Sequence, residues 1–251
     1  MSVLVWPKLW EDGNRGSTLI YKLREKMKKI IITIIASLAL TGVSYAGSFG
    51  IGVSGSLALV SADGKEVTDA GTVAGGAANT NTKSVDELGM IGSIFLDYEF
   101  DGLNGLVIGF SHVPGTANVT GSKHSRTETA QGVSGTDASG AVTRTADAEI
   151  ENFNTLYVEY PVGSFYAKLG FSQVDVNTLE NAITSSGTYG NATLDGYTVG
   201  AGINGEVGGL FTKTSVEYTD FESLSLNSTT ANKITADLDV LEFKIAVGKR
   251  F

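Results

Sequence analysis

Three groups of residues in this chain have types and spacings that could do chemistry. Gly50, Gly52 and Gly55 spell G-x-G-x-x-G, the pattern with which a glycine-rich turn cradles a dinucleotide pyrophosphate. That chemistry needs a strand before the glycines and a helix after them, whereas here an alternating apolar pattern simply continues. They read as small residues facing an enclosed axis, and no cofactor is expected. His124, Ser125 and Glu128 supply the residue types of a hydrolytic triad, such as a lipid-modifying enzyme would use. They fall in a long stretch of Gly, Ser, Thr and Ala with nothing to fix their mutual geometry, so solvated loop residues are the expectation. The chain has only two histidines, His112 and His124, and no cysteine, which makes a transition-metal site a poor reading. His112 reads as an interfacial side chain.

The third group is Asp97, Glu99, Glu151, Glu159, Lys168, Lys213, Glu217, Glu242 and Lys244, with Arg250 beside them. Each falls on the parity of its segment that also carries small and polar residues, so all are expected to share one interior. Buried opposite charges must pair, because an unpaired buried charge is costly. The group therefore reads as an ion-pair network that fills a narrow lumen. The functional alternative makes Lys168 and Lys213, with Glu151 or Glu217, a switchable plug in an ion path. Asp63, Glu66, Asp69, Asp137 and Asp147 lack the spacing of a calcium loop and read as surface charge.

The elements that must position these charges are legible in composition and pattern. Among 251 residues, 42% are hydrophobic and only 18% charged, which is not the composition of a disordered chain. A formal net charge of -9 argues against nucleic-acid phosphate as a partner. Lys28 and Lys29 precede an apolar run of 14 residues, 30–43, that ends in Ser44-Tyr45-Ala46. That is the pattern of a secretory signal peptide over residues 27–46, cleaved after Ala46. The run is shorter than the roughly 20 residues a membrane-spanning helix needs. Residues 1–26 then read as a misassigned N-terminal extension. Removing residues 1–46 takes seven basic and three acidic side chains and leaves 11 basic against 24 acidic, net -13.

No later stretch is apolar enough for a spanning helix, so a membrane protein here must be a closed barrel. Eight segments alternate in the required way, over residues 48–60, 87–100, 105–113, 147–160, 164–175, 192–203, 210–221 and 233–251. Phe165, Ala167, Leu169 and Phe171 oppose Tyr166, Lys168, Gly170 and Ser172. Likewise Tyr197, Val199, Ala201 and Ile203 oppose Gly196, Thr198, Gly200 and Gly202. The connections alternate between about 26, 33, 16 and 11 residues and about 4, 3 and 6, as long extracellular loops and short periplasmic turns would. A lipocalin-like soluble barrel would carry its apolar side chains inside. Glycine, serine and charges supply too little apolar volume here for a dry interior.

The run Gly47-Ser48-Phe49-Gly50-Ile51-Gly52-Val53-Ser54-Gly55, the segment Tyr166-Ala167-Lys168-Leu169-Gly170-Phe171, the run Gly196-Tyr197-Thr198-Val199-Gly200-Ala201-Gly202 and the terminal Phe251 resemble small bacterial outer-membrane barrels of the OmpA-like and opacity-protein superfamily. The resemblance covers residues 47–251. It implies an all-β fold, an eight-stranded antiparallel up-and-down transmembrane β-barrel, in the bacterial outer membrane. It also implies insertion by periplasmic chaperones and the barrel-assembly machinery, with Phe251 as the assembly signal. Longer members continue into a peptidoglycan-binding domain, and that tethering role is not expected of a chain whose last strand reaches Phe251. The expected role is non-enzymatic: a monomer surrounded by outer-membrane lipid, acting in envelope integrity or binding an extracellular ligand through its loops. A narrow small-solute or ion pore is the alternative, and a lipid-modifying enzyme a further one.

Overall fold

A computed structural model describes residues 47–68, 79–118, 124–129, 141–180, 188–228 and 232–251. The expected signal peptide, its cleavage at Ala46 and the extension over residues 1–26 lie outside the described residues, as do Asp69 and Asp137. The strands are β1 (Gly47–Thr68), β2 (Asn79–Phe100), β3 (Leu106–Asn118), β4 (His124–Thr129), β5 (Ala141–Val162), β6 (Phe165–Glu180), β7 (Ala192–Val207), β8 (Leu210–Phe221), β9 (Leu224–Asn227) and β10 (Lys233–Arg250). Eight of them, all but β4 and β9, form a ring in chain order, and β10 pairs with β1 to close it. Phe49 and Phe251 complete the seam by exchanging backbone hydrogen bonds of 3.1 and 2.8 Å. Closure leaves no sheet edge at the lower end, the condition for a lipid-embedded sheet. β4 continues the pairing along β5 beyond β3, and β9 does the same along β10 beyond β8.

The short connections are made by residues that tolerate left-handed backbone. Asp101–Leu103 form a 3-10 turn that ends in Asn104 at φ 58° and Gly105 at φ 76°. Gly208 and Gly209, at φ 61° and 77°, reverse the chain between β7 and β8.

Cross-strand partners can be followed once around the ring from Ile51 through Leu96, Phe110, Leu156, Phe171, Tyr197, Asp220 and Asp239. The path returns to β1 at Ser61, ten residues above its start. Eight strands with that stagger tilt by about 40° and enclose a backbone radius of about 8 Å. Side chains alone can fill such an interior.

Alternation then sorts the side chains. Phe49, Ile51, Val53, Leu57, Leu96, Leu169, Val216, Phe243 and Ile245 point outward and are exposed, while Asp97, Glu159, Lys168, Lys213, Glu217 and Glu242 are buried inside. On β1 the outward apolar set runs from Phe49 to Leu59, close to the 9–11 residues a tilted strand needs to cross a bilayer. Above it the outward positions turn polar, with Ser61, Asp86, Gln173, Asp195, Asp220 and Asp239. A soluble protein does not display so continuous an apolar girdle around charged contents.

Three expectations need correction. The strands run well past the predicted tops: β1 and β2 each have 22 residues, and β5 has 22. Outside the membrane both faces meet water, so Asp63, Lys65, Asn81 and Lys83 carry no alternation to read, although the hairpins continue. The second correction is at β5, where the register with β6 shifts between Glu151 and Asn154. Asn152 sits there at φ 54°, a bulge that reverses the inside–outside parity above it. Ile150, expected outside, is therefore buried in the interior, and Glu151, expected in the lumen, lies on the outer face as acceptor for Asn177 at 2.7 Å.

The third concerns apolar volume. The upper lumen is filled by Ala58, Ile150, Phe153, Val174, Val176, Leu194, Phe221, Leu224, Leu238 and Val240, an apolar cluster that the sequence reading did not anticipate. Phe100 also departs from expectation, since it is on the outward parity yet buried, edge-on to Tyr98 at 4.8 Å.

Candidate functional site in the lumen

Below the apolar cluster, inward positions of five strands bring the charges together. Glu217 on β8 is the centre of one group. Lys168 on β6 donates to both of its oxygens at 3.0 Å, Lys244 on β10 donates at 2.9 Å, and the Ser215 hydroxyl at 3.0 Å. Lys244 also reaches Glu242 at 3.2 Å, whose other oxygen accepts from Ser56 at 2.7 Å. Lys213 on β8 is the centre of the second group, donating to Asp97 at 3.0 Å and Glu159 at 2.6 Å. Arg250 then links Asp97, at 3.4 Å, to Glu99, at 2.8 Å, where the lumen opens towards the short turns. Each of these five carboxylates has a cationic partner, the arrangement that makes burial of charge tolerable.

The walls between these ions are aromatic. The Lys168 ammonium stands 4.2 Å from the Tyr157 ring centroid, and Lys213 lies within 6 Å of the rings of Phe95, Tyr166 and Phe211. Each of these rings faces a glycine on the neighbouring strand: Tyr157 opposite Gly109, Tyr166 opposite Gly202, Phe211 opposite Gly248, Phe95 opposite Gly52. A Cβ on Gly109 would lie 2.3 Å from Tyr157, and one on Gly248 2.3 Å from Phe211. The glycines are therefore spaces for rings lying flat along the wall, which is why a barrel this narrow holds so many.

Between the charged and apolar layers runs a band of hydroxyls on β5 to β8. Thr155, Ser172, Thr198 and Thr219 are joined in series at 2.9, 2.6 and 2.7 Å. Among the charged side chains lies a cavity of about 20 Å³ bordered by Ser54, Ser93, Ser111 and the two lysines Lys168 and Lys213. That is room for about one water molecule.

Of the charges singled out from the sequence, Asp97, Glu99, Glu159, Lys168, Lys213, Glu217, Glu242 and Lys244 lie in this lumen and Glu151 does not. Tyr157, Tyr166, Phe95 and Phe211 were missed as partners of the lysines, although their pairing with inward glycines was the available signal. His112 faces outward and is hydrogen-bonded through Nδ1 to Asn154 at 2.8 Å. The segment holding His124, Ser125 and Glu128 is a strand, β4, paired with residues 141–146 rather than a loop, and its side chains lie outside the described residues. Phe251 is exposed at the lower rim with Lys249 over its ring at 5.3 Å.

No family model matches the chain, and no curated protein matches it. Solved structures do. The outer membrane protein OprG of Pseudomonas aeruginosa is 13% identical, with 81% of this chain and 96% of that one covered at a TM-score of 0.44. The outer membrane protease OmpT of Escherichia coli is 9% identical, with 81% and 97% covered at 0.41. The attachment invasion locus protein Ail of Yersinia pestis, solved with the heparin analogue sucrose octasulfate, is 12% identical, with 79% and 97% covered at 0.34. At these identities and scores no activity passes from any of them to this chain. Its own closed eight-strand ring, apolar girdle and ion-paired interior make it a small transmembrane β-barrel, the fold of these outer-membrane proteins.

Proposed function

We propose that this protein is a non-conducting, non-enzymatic outer-membrane barrel, a monomer that stiffens the envelope and presents its extracellular ribbons to a surface ligand. The observation that carries this reading is the filling of the lumen: an ion-paired layer with a water-sized cavity of about 20 Å³ lies beneath a layer of apolar side chains. An ion entering from below would have to break buried salt bridges and then cross a layer packed with Ile150, Phe153, Val174, Phe221, Leu238 and Val240. The long ribbons support the surface role, since strands of 22 residues, tilted by about 40°, rise about 55 Å against about 30 Å for a bilayer core. Tyr189 donates to Glu66 at 3.0 Å, tying the β6–β7 connection to β1. In this reading residues 27–46 direct export, Phe251 is read by the assembly machinery after periplasmic chaperones deliver the chain, and no cofactor or nucleic acid is involved.

The test is single-channel recording of the purified protein in a planar bilayer across salt concentrations, with folding verified by the change in gel mobility on boiling. A folded, silent barrel is the expected result. Steady openings whose amplitude changes in Lys213→Ala would establish the narrow pore instead.

A further inference from the structure

The wall of the barrel is incomplete between β2 and β3. β2 pairs with β1 along its whole length, from Asn79 to Phe100, but with β3 only from Ile94↔His112 down to Phe100↔Leu106. Among the described residues, nothing pairs with the other side of β2 above Ile94, and β3 continues upward along β5 with a bulge between Val113 and Thr116. Among the described residues the two strands part above Ile94, leaving a cleft open to the top and to the side. Gly89 lies on the inward parity opposite Ala58, yet is exposed, and a Cβ there would meet nothing within 4 Å. Gly115, on the facing rim, is exposed and open in the same way, at φ 98°. The floor is apolar, with Ile91 and Val113 packed against the buried upper cluster beside Phe153.

The depth of this cleft identifies what it meets. Leu88 and Met90, on the outer face of the same stretch of β2, are among the most exposed apolar side chains, at 68% and 87%. Their cross-strand partners are Leu59 and Leu57, which pair in turn with Leu241 and Phe243, all part of the lipid-facing girdle. The polar edge, with Asp86 beside Ser61, lies just above. On its β2 side the cleft is thus continuous with the lipid surface in the outer part of the membrane, while its β3 side begins at the outward His112–Asn154 pair. Its rims are strand edges whose N–H and C=O groups need partners, since an unsatisfied backbone group in hydrocarbon costs several kcal/mol.

We propose that the cleft between β2 and β3 seats one acyl chain of a membrane lipid, the chain lying on Ile91 and Val113. The carbonyls of the lipid's chain linkage accept from backbone N–H groups of the rims, and water entering from above satisfies the remainder. An apolar chain without such a linkage would leave the rims unpaired, and water alone would leave the apolar floor wet. The proposal rests on the membrane placement of the girdle but not on whether the lumen conducts.

The test uses tryptophan fluorescence in the full chain with Trp6 and Trp10 replaced by phenylalanine, so that one introduced tryptophan is the sole reporter. Ile91→Trp and, from the other rim, Val113→Trp report the cleft. Met90→Trp reports the lipid face and Val240→Trp the closed interior. Each is reconstituted in vesicles of phosphatidylcholine with or without brominated acyl chains, after folding is verified by heat-modified gel mobility. The expected result is loss of Ile91→Trp and Val113→Trp fluorescence comparable with that of Met90→Trp, while Val240→Trp keeps its signal. Cleft reporters that behave like Val240→Trp, or that are quenched by aqueous acrylamide but not by brominated lipid, overturn the proposal. A Met90→Trp reporter that is not quenched would instead remove the membrane placement on which it rests.

Discussion

The two halves of the lumen are filled by opposite chemistries. Near the short turns, four cations and five carboxylates interlock around Lys213 and Glu217, with aromatic rings as spacers. Towards the long loops the same narrow cylinder is packed with Val240, Leu238, Phe221, Phe153 and their neighbours, as in a soluble protein's core. The lower half gains little net stability from its ion pairs, because desolvation offsets most of the Coulomb attraction. What it gains is a penalty against any arrangement that separates the charges. The upper half is stabilised by burial itself and tolerates volume-conserving change. Charge thus specifies how the strands meet below, while apolar packing fills the cylinder above.

Breaking the lower half should cost most. Lys213→Ala leaves Glu159 buried without a cation and Asp97 with only the longer Arg250 contact, and should lower unfolding stability by about 3–5 kcal/mol in detergent denaturation. The same variant should remain silent in a planar bilayer, because the apolar layer above is untouched. Leu238→Ala in the upper half should cost about 3 kcal/mol through the cavity it leaves, read by the same denaturation. Conduction is expected only from polar changes in that layer: Leu238→Ser with Val240→Ser should give openings that the parent chain lacks. If Lys213→Ala conducts and the double serine variant does not, the sealing roles of the two halves are reversed.

The boundary between the halves should respond less. Thr198 sits in the middle of the hydroxyl series, bonded to Ser172 and Thr219, so Thr198→Val should cost about 1–2 kcal/mol by leaving neighbours unsatisfied. Tyr189→Phe removes one hydrogen bond to Glu66 outside the membrane and should shift stability by about 0.5 kcal/mol. Its effect is better read as faster proteolysis of the β6–β7 connection in intact vesicles.

The sequence was legible where one face of a strand meets lipid and the other the lumen. Over β6, β7 and β8 the alternation located both the strands and their inward charges, because a period of two is imposed wherever the two sides differ. It failed at β5 for an equally physical reason. One residue, Asn152, enters left-handed backbone and inserts an extra position, after which every parity inference is inverted, so Glu151 was placed inside when it faces out. It failed also above the girdle, where Lys65, Asn81 and Lys83 continue as strands although neither face is lipid. Nothing in those residues alone separates them from a loop.

The apolar plug was missed because its members are scattered. Ala58, Phe153, Val174, Leu194, Phe221, Leu238 and Val240 each look like an interruption within their own segment, and only the closed ring, with its stagger of ten, brings them to one height. The sequence by itself determined the number of strands in the ring, the side that faces lipid on all but the upper part of β5, and the identity of most interior charges. These follow from local alternation and from the cost of exposing charge to hydrocarbon. The tertiary structure decided which lysine meets which carboxylate, that the upper lumen is packed with apolar side chains, and that the wall parts between β2 and β3. Those depend on register between strands far apart in the chain, which the shear of a closed barrel fixes and no local pattern encodes.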